Sequence, residues 1–138
     1  MIDTQITRQL VPESQRLSIT AELFGTNFPL LLEPAVFNFA GQLAQAYHGG
    51  YWAFYLLGNG GFYMAPDTEA RFRIVCDNGF EGALSADALG ITACLYAYSH
   101  LAFTSQTAIS MILAEHYHWV REFMFEHAEV RQILRAID

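Results

Sequence analysis

Two Asn-Gly turns set among aromatic and β-branched residues constrain this chain more than any other feature. The first lies inside Tyr51-Trp52-Ala53-Phe54-Tyr55-Leu56-Leu57-Gly58-Asn59-Gly60-Gly61-Phe62-Tyr63-Met64-Ala65-Pro66, and the second follows Arg71–Cys76 as Asp77-Asn78-Gly79-Phe80. Short apolar runs broken by Asn-Gly predict antiparallel hairpins. Tyr51–Leu57 is apolar on both faces, so it is expected to be a central strand covered on both sides. Asn59-Gly60 reads as a two-residue turn with positive φ at both positions, which pairs Leu57 with Phe62 and Tyr55 with Met64. Pro66 ends the second strand. Arg71–Cys76 alternates, with Phe72, Ile74 and Cys76 on one face and Arg71, Arg73 and Val75 on the other. A two-residue turn after it would set Glu81 opposite Cys76 on the apolar face. A three-residue loop with Gly79 in the left-handed region instead sets Phe80 opposite Cys76 and Leu84 opposite Phe72. Register follows the buried face, so the longer loop is expected.

Helical spacing accounts for most of the remainder. Glu33-Pro34 opens a helix, with proline where its missing N–H costs nothing. Val36, Phe37, Ala40, Leu43, Ala44 and Tyr47 share its face, and His48-Gly49-Gly50 ends it. Leu17–Phe24 fits either a short helix or an extended segment. Ser85 is an N-cap with Asp87 in the first turn, opening a helix that runs to about Phe103. Another starts near Thr107, with Ile109, Ile112, Leu113, His116, Val120 and Phe123 as its apolar stripe. The last, Glu129–Ile137, carries Val130, Ile133, Leu134 and Ile137. The first dozen residues lack periodicity and are expected to fray. The fold class is α+β: one compact domain over residues 1–138, with a small antiparallel β-meander of three to four strands packed by about four helices.

Ala88–Ala114 contains no charged residue, which is length enough for a membrane span. It also contains Thr92, Ser99, His100, Thr104, Gln106 and Ser110, and no basic cluster flanks it. A helix apolar on all sides is equally what the centre of a domain needs, and no membrane association is expected. The N-terminus lacks the pattern of a secretory signal, and Cys76 and Cys94 are read as reduced core thiols, so the expected location is cytoplasmic.

Charge excludes two modes of action. The chain carries 14 acids and 7 bases, a net −7, and every base is arginine. Sequence-independent DNA binding needs a clustered basic footprint, which scattered arginines do not make. Imitation of DNA fails for the opposite reason. A chain this long has a radius of gyration of about 14 Å and so spans ~37 Å. Duplex DNA of that length carries about 22 phosphates, more than all the acids present.

Chemical motifs reduce to structural roles. Gly58-Asn59-Gly60-Gly61 joins strand to strand, so no helix N-terminus is offered to a phosphate. His116 and His118 are two apart on a helix and point apart. The single Glu-x-x-His, ending at His118, has no second copy to build a di-metal site. His118 and Glu122 are spaced for a surface ion pair. No nucleophile elbow is present, and Ser85 reads as a cap. Tyr51, Trp52, Tyr55 and Tyr63 lack adjacent basic residues and read as core, while Asp67 and Asp87 fit turn and cap roles. No catalytic residue, metal or cofactor is expected, and the chain is read as a non-enzyme.

The pattern Gly49-Gly50-Tyr51-Trp52, Asn59-Gly60-Gly61-Phe62-Tyr63-Met64 with Pro66, Asn78-Gly79 and Ser85 with Asp87 resembles the ArdB/KlcA antirestriction family. The resemblance runs from about Leu17 to Asp138, and these motif residues are read as structural. It implies inhibition of type I restriction–modification systems, protecting incoming DNA of plasmids and other mobile genetic elements. The implied partner is the restriction complex or a host factor linked to it. The alternative is a small hydrolase or nuclease with no recognisable site. Since charge imitation is excluded, a specific protein surface is expected. Glu122, Glu126, Glu129, Arg131, Arg135 and Asp138 are its candidates, lying on polar faces of the last helices that folding does not obviously need.

Overall fold

The computed structural model describes residues 5–105 and 107–138. In chain order its elements are β1 (Arg8–Leu10), α1 (Arg16–Phe24), α2 (Glu33–Leu43), β2 (Trp52–Leu57), β3 (Phe62–Pro66), β4 (Arg71–Val75), β5 (Glu81–Ser85), α3 (Ala86–Thr104), α4 (Thr107–Met124) and α5 (Val130–Ile137). A 3-10 turn at Glu13–Gln15 leads into α1, and a π turn at Phe28–Leu32 runs into α2. The α+β class holds, with five helices. The strands form two antiparallel sheets, β1-β2-β3 and β4-β5, where one meander was expected. Pro66, without an N–H, ends β3, and β4 begins a separate ladder with β5.

The expectation of a frayed first dozen residues fails from Arg8 onward. Arg8, Gln9 and Leu10 pair with Leu57, Leu56 and Tyr55, and the Val11 N–H donates to the Phe54 carbonyl at 2.8 Å. Val11 itself is buried. β1 is held by backbone pairing while its three side chains are exposed, so no hydrophobic period marked it. Residues 1–4 lie outside the described part.

The two hairpins share one loop design. β2 pairs with β3 as Leu56↔Phe62, Tyr55↔Tyr63 and Phe54↔Met64, one residue away from the register read for a two-residue turn. The loop is Gly58-Asn59-Gly60, closed by the Leu57 N–H on the Gly61 carbonyl at 2.8 Å. Only Gly60 has positive φ, +106°; Asn59 does not. The second hairpin has the expected three-residue loop, with Gly79 at φ +93° and Phe72 opposite Leu84.

α1 is a helix, which resolves the open choice at Leu17–Phe24. α2 stops at Leu43, short of the expected glycine stop, because Ala44 turns to extended backbone. Gly49 and Gly50, at φ +98° and +125°, then carry the chain into β2. α3 is the axis of the core. Twelve of its residues are buried, and Ser85 caps it, its Oγ accepting from the Ala88 N–H at 3.1 Å. At Gly90 the helix backbone lies against β3: a Cβ there would fall 2.3 Å from that of Ala65. α3 and α4 divide the charge-free stretch, and among the described residues no helix is long and apolar enough to cross a membrane. α4 buries Ile109, Leu113, His116, Val120 and Met124, while Ile112 and Phe123, expected on that stripe, sit at its margins. Phe62 is the centre of an aromatic nest, edge-on to Phe24, Phe28 and Phe54 at 5.5–5.8 Å.

Candidate functional site

Four segments remote in sequence meet at the first turn of α3. Asp87 is held there because Ser85 starts the helix two residues earlier. Its Oδ1 accepts from Arg8 Nη1 at 2.8 Å and from the Tyr63 hydroxyl at 2.8 Å. Its Oδ2 lies 2.9 Å from His127 Nε2. The Glu129 N–H donates to His127 Nδ1 at 3.0 Å. Nδ1 is therefore the acceptor nitrogen, and Nε2 carries the proton given to Asp87. Burial alone would raise the Asp87 carboxyl; the bonds from His127 and Tyr63 and the charge of Arg8 outweigh it and hold it below its ordinary value. The Tyr63 hydroxyl is pushed up, by burial first and the Asp87 charge second.

A second knot lies beside it. Glu129 accepts from the Ser85 N–H at 2.9 Å and from the Ser85 hydroxyl at 2.5 Å, with Arg71 at 3.6 Å. The Ser85 proton is thus committed to Glu129, and both His127 nitrogens are engaged. Such a cluster ties β1, β3, α3 and the α4–α5 turn together, with neither a free imidazole nitrogen nor a free hydroxyl for a substrate. Arg8 and His127 belong to no sequence motif and gave no signal; Asp87, Tyr63 and Ser85 were visible members. Among the described residues no group of three metal-ligating side chains comes together. His116 is buried among Phe24, Tyr98 and Trp119, at 4.7, 5.6 and 5.0 Å between rings, with no partner for Nδ1 among the described residues. Burial pushes its pKa down to about 4. His118 is exposed, and the ion pair expected with Glu122 is not among those formed by the described residues.

The C-terminal candidates divide. Glu122, Arg131, Arg135 and Asp138 are exposed. Arg135 and Asp138 line an open groove of about 390 Å³ with Asn78, Gly79 and Phe80, and the Arg135 guanidinium sits 5.6 Å above the Phe80 ring. Glu126 is exposed but accepts from the Ile6 N–H at 2.9 Å. Glu129 does not belong to a free polar face: its side chain is 17% exposed and its carboxylate fastens Ser85. Helical spacing placed it outward, but it precedes α5 and turns toward the start of α3.

Most motif residues have visible structural tasks. Asn59 and Asn78 do the same work in their two loops. Asn59 Oδ1 accepts from Gly61 N–H at 3.1 Å, and Nδ2 donates to the Trp119 carbonyl at 2.9 Å. Asn78 Oδ1 accepts from Phe80 N–H at 2.9 Å, and Nδ2 donates to the Arg135 carbonyl at 2.9 Å. Each hairpin thereby clasps a C-terminal helix. Trp52 and Tyr63 are core, but Tyr51 is 51% exposed. Contrary to the expectation of no neighbouring base, Arg8 stacks over Tyr55 at 4.3 Å and Arg16 over Phe54 at 4.1 Å and Tyr51 at 4.8 Å.

Comparison with known proteins supplies what the geometry leaves open. The sequence model of the family described as antirestriction protein matches residues 45–138. An antirestriction protein KlcA of Escherichia coli is 47% identical, with all of both chains covered. The uncharacterized protein YafX of Escherichia coli K12 is 39% identical over 97% of this chain and 89% of its own. A solved structure covers all of both chains with a TM-score of 0.89 at 41% identity. It is described as showing, for the KlcA and ArdB proteins, a novel fold and antirestriction activity against type I DNA restriction systems in vivo but not in vitro.

Proposed function

The chain belongs to the antirestriction protein family, and from that premise we propose that it counters type I restriction in the host cell as a binding protein, through a specific surface and without imitating DNA. The observation that carries this reading is the full-length match, at 41% identity and TM-score 0.89, to a structure described with that activity in vivo. The closed hydrogen bonding around Asp87, His127 and Ser85 supports a binding protein over the hydrolase or nuclease alternative. The engaged surface is the groove of Arg135, Asp138 and Phe80, with the exposed Arg131 one turn before Arg135 on α5; the exposed Glu122 of α4 is a further candidate. Its partner is the restriction complex or a host factor linked to it.

The test is plating of unmodified phage on a host with an active type I system. Expression of this chain raises plating efficiency, whereas purified chain added to purified endonuclease and unmodified DNA leaves cleavage unchanged, as described for the relatives of solved structure. Unchanged restriction in cells that contain the folded protein would overturn the proposal.

A further inference from the structure

A second groove lies on the opposite run of the sequence, between α1, the π turn and β2. It has a volume of about 340 Å³ and is lined by Glu13, Arg16, Leu17, Thr20, Phe28, Pro29, Glu33 and Phe54, within the range of sites that hold a ligand. Phe28, Phe54 and Thr20 form a buried floor. At the rim Leu17 is 87% exposed, and Leu30, next to Pro29, is 71% exposed. Apolar surface thus continues outward beyond the cavity, as at a protein-binding site.

The charges select the occupant. Arg16 faces inward and is fixed there. Its Nη2 donates to the Tyr51 hydroxyl at 2.9 Å and the Trp52 carbonyl at 2.7 Å, its guanidinium stacks on Phe54, and its Nε is buried without an acceptor among the described residues. Held in that way, it forms no ion pair with either acid among the described residues, although its charge acts on Glu33. Glu13 and Glu33 make no ion pair among the described residues. Burial raises the Glu33 carboxyl, and Arg16 offsets this only in part. An anionic ligand meets two carboxylates against one guanidinium already bonded to Tyr51 and Trp52, whereas a cation with apolar flanks suits both the rim and the floor.

We propose that the Leu17–Pro29–Glu33 groove docks a short segment of a partner protein in which a lysine or arginine is flanked by apolar side chains. The apolar residues rest on Phe28, Phe54, Leu17 and Leu30, and the cation lies between Glu13 and Glu33. This inference is independent of the antirestriction reading and is tested on the purified chain.

The probes are three blocked peptides, Ac-Gly-Leu-X-Leu-Gly-NH2, with X lysine, glutamine or glutamate. Each is titrated into methyl-labelled protein and followed by NMR. The lysine peptide is expected to shift the Leu17 and Leu30 methyls saturably, the glutamine peptide to bind more weakly, and the glutamate peptide to leave them unmoved. Glu33→Gln and, separately, Glu13→Gln each weaken the lysine peptide by about threefold, the size of one exposed ion pair, with melting temperature unchanged. Leu17→Asp abolishes the shift. No saturable shift with the lysine peptide, equal binding of the glutamate peptide, or full affinity in both glutamine variants would each overturn the proposal.

Discussion

Single residues here carry more than their local sequence announces. Asp87 begins as a helix-cap neighbour and ends as the acceptor shared by Arg8, Tyr63 and His127. Hydrogen bonds to a charged, half-buried group contribute more than neutral ones. Asp87→Asn is therefore expected to cost about 2 kcal/mol in urea denaturation, while Tyr63→Phe, which leaves Arg8 and His127 on the carboxylate, costs about 1 kcal/mol. Equal losses in the two variants would show that the charge matters no more than the hydroxyl. His116 makes a pH prediction. Its pKa is about 4 in the fold against 6.5 for an ordinary histidine. Between those values the unfolded chain binds a proton that the folded chain refuses. Stability is thus fully present above pH 6.5 and falls as pH drops toward 4. The loss by about pH 4 is of order 3 kcal/mol. The slope over this interval, measured by urea denaturation, flattens in His116→Leu; an unaltered slope would assign the acid sensitivity elsewhere.

Elements were legible where side chains repeat and illegible where backbone or a long-range contact decides. The helix start at Ser85 follows from capping chemistry, that at Glu33 from the proline in its first turn, and the Phe72–Leu84 register from the buried face. The Leu57 hairpin was misread because Asn-Gly admits two loop lengths. The alternation that chose between them at Cys76 is absent from the wholly apolar β2 and β3. β1 left no pattern because it contributes backbone bonds and the Arg8 side chain. The site was less legible than the fold: Asp87 and Ser85 had local reasons to be noticed, but Arg8, His127 and the inward turn of Glu129 depend on contacts across the chain. Two predictions belong at this scale. Gly90→Ala puts a methyl into Ala65 and the Met64 carbonyl, at 2.3 and 2.5 Å. Rigid backbone on both sides leaves no easy relaxation, so the loss reaches about 3 kcal/mol or more, despite the better helix propensity of alanine. An unchanged or higher melting temperature would mean that α3 and β3 separate freely. Asn59→Asp keeps the acceptor for Gly61 but turns a donor toward the Trp119 carbonyl into a charge, and is expected to cost about 2 kcal/mol. Asn78→Asp, facing the Arg135 carbonyl, serves as its counterpart in the second loop.

Across the whole molecule the seven bases are already occupied for the most part. Arg8, Arg71 and Arg73 pair with Asp87, Glu129 and Glu81. Arg8, Arg16, Arg121 and Arg135 lie over aromatic rings. A planar guanidinium stacks and bonds at its edge in ways an ammonium does not, which gives a physical use for arginine in a chain without lysine. Duplex DNA thus meets a net −7 surface with few uncommitted cations, and titration at physiological salt is expected to show no complex; a salt-sensitive submicromolar complex would contradict this. On the proposed reading activity resides in a shaped patch, and the C-terminal groove offers one in which the Arg135 and Asp138 side chains are separable from folding. Arg135→Ala removes a stacking contact on Phe80 worth about 0.5–1 kcal/mol at an exposed site. The bond from Asn78 reaches the main-chain carbonyl of Arg135 and survives the change. Asp138→Ala removes only an exposed carboxylate at the chain end. Both variants should melt within a few degrees of the parent, and both should lose protection of unmodified phage in a type I host. Full protection by both stable variants would exclude this groove as the contact surface. Lost protection together with a collapsed melting temperature would instead assign Arg135 to the fold, as the bonds of Glu129 to Ser85 suggest for that residue.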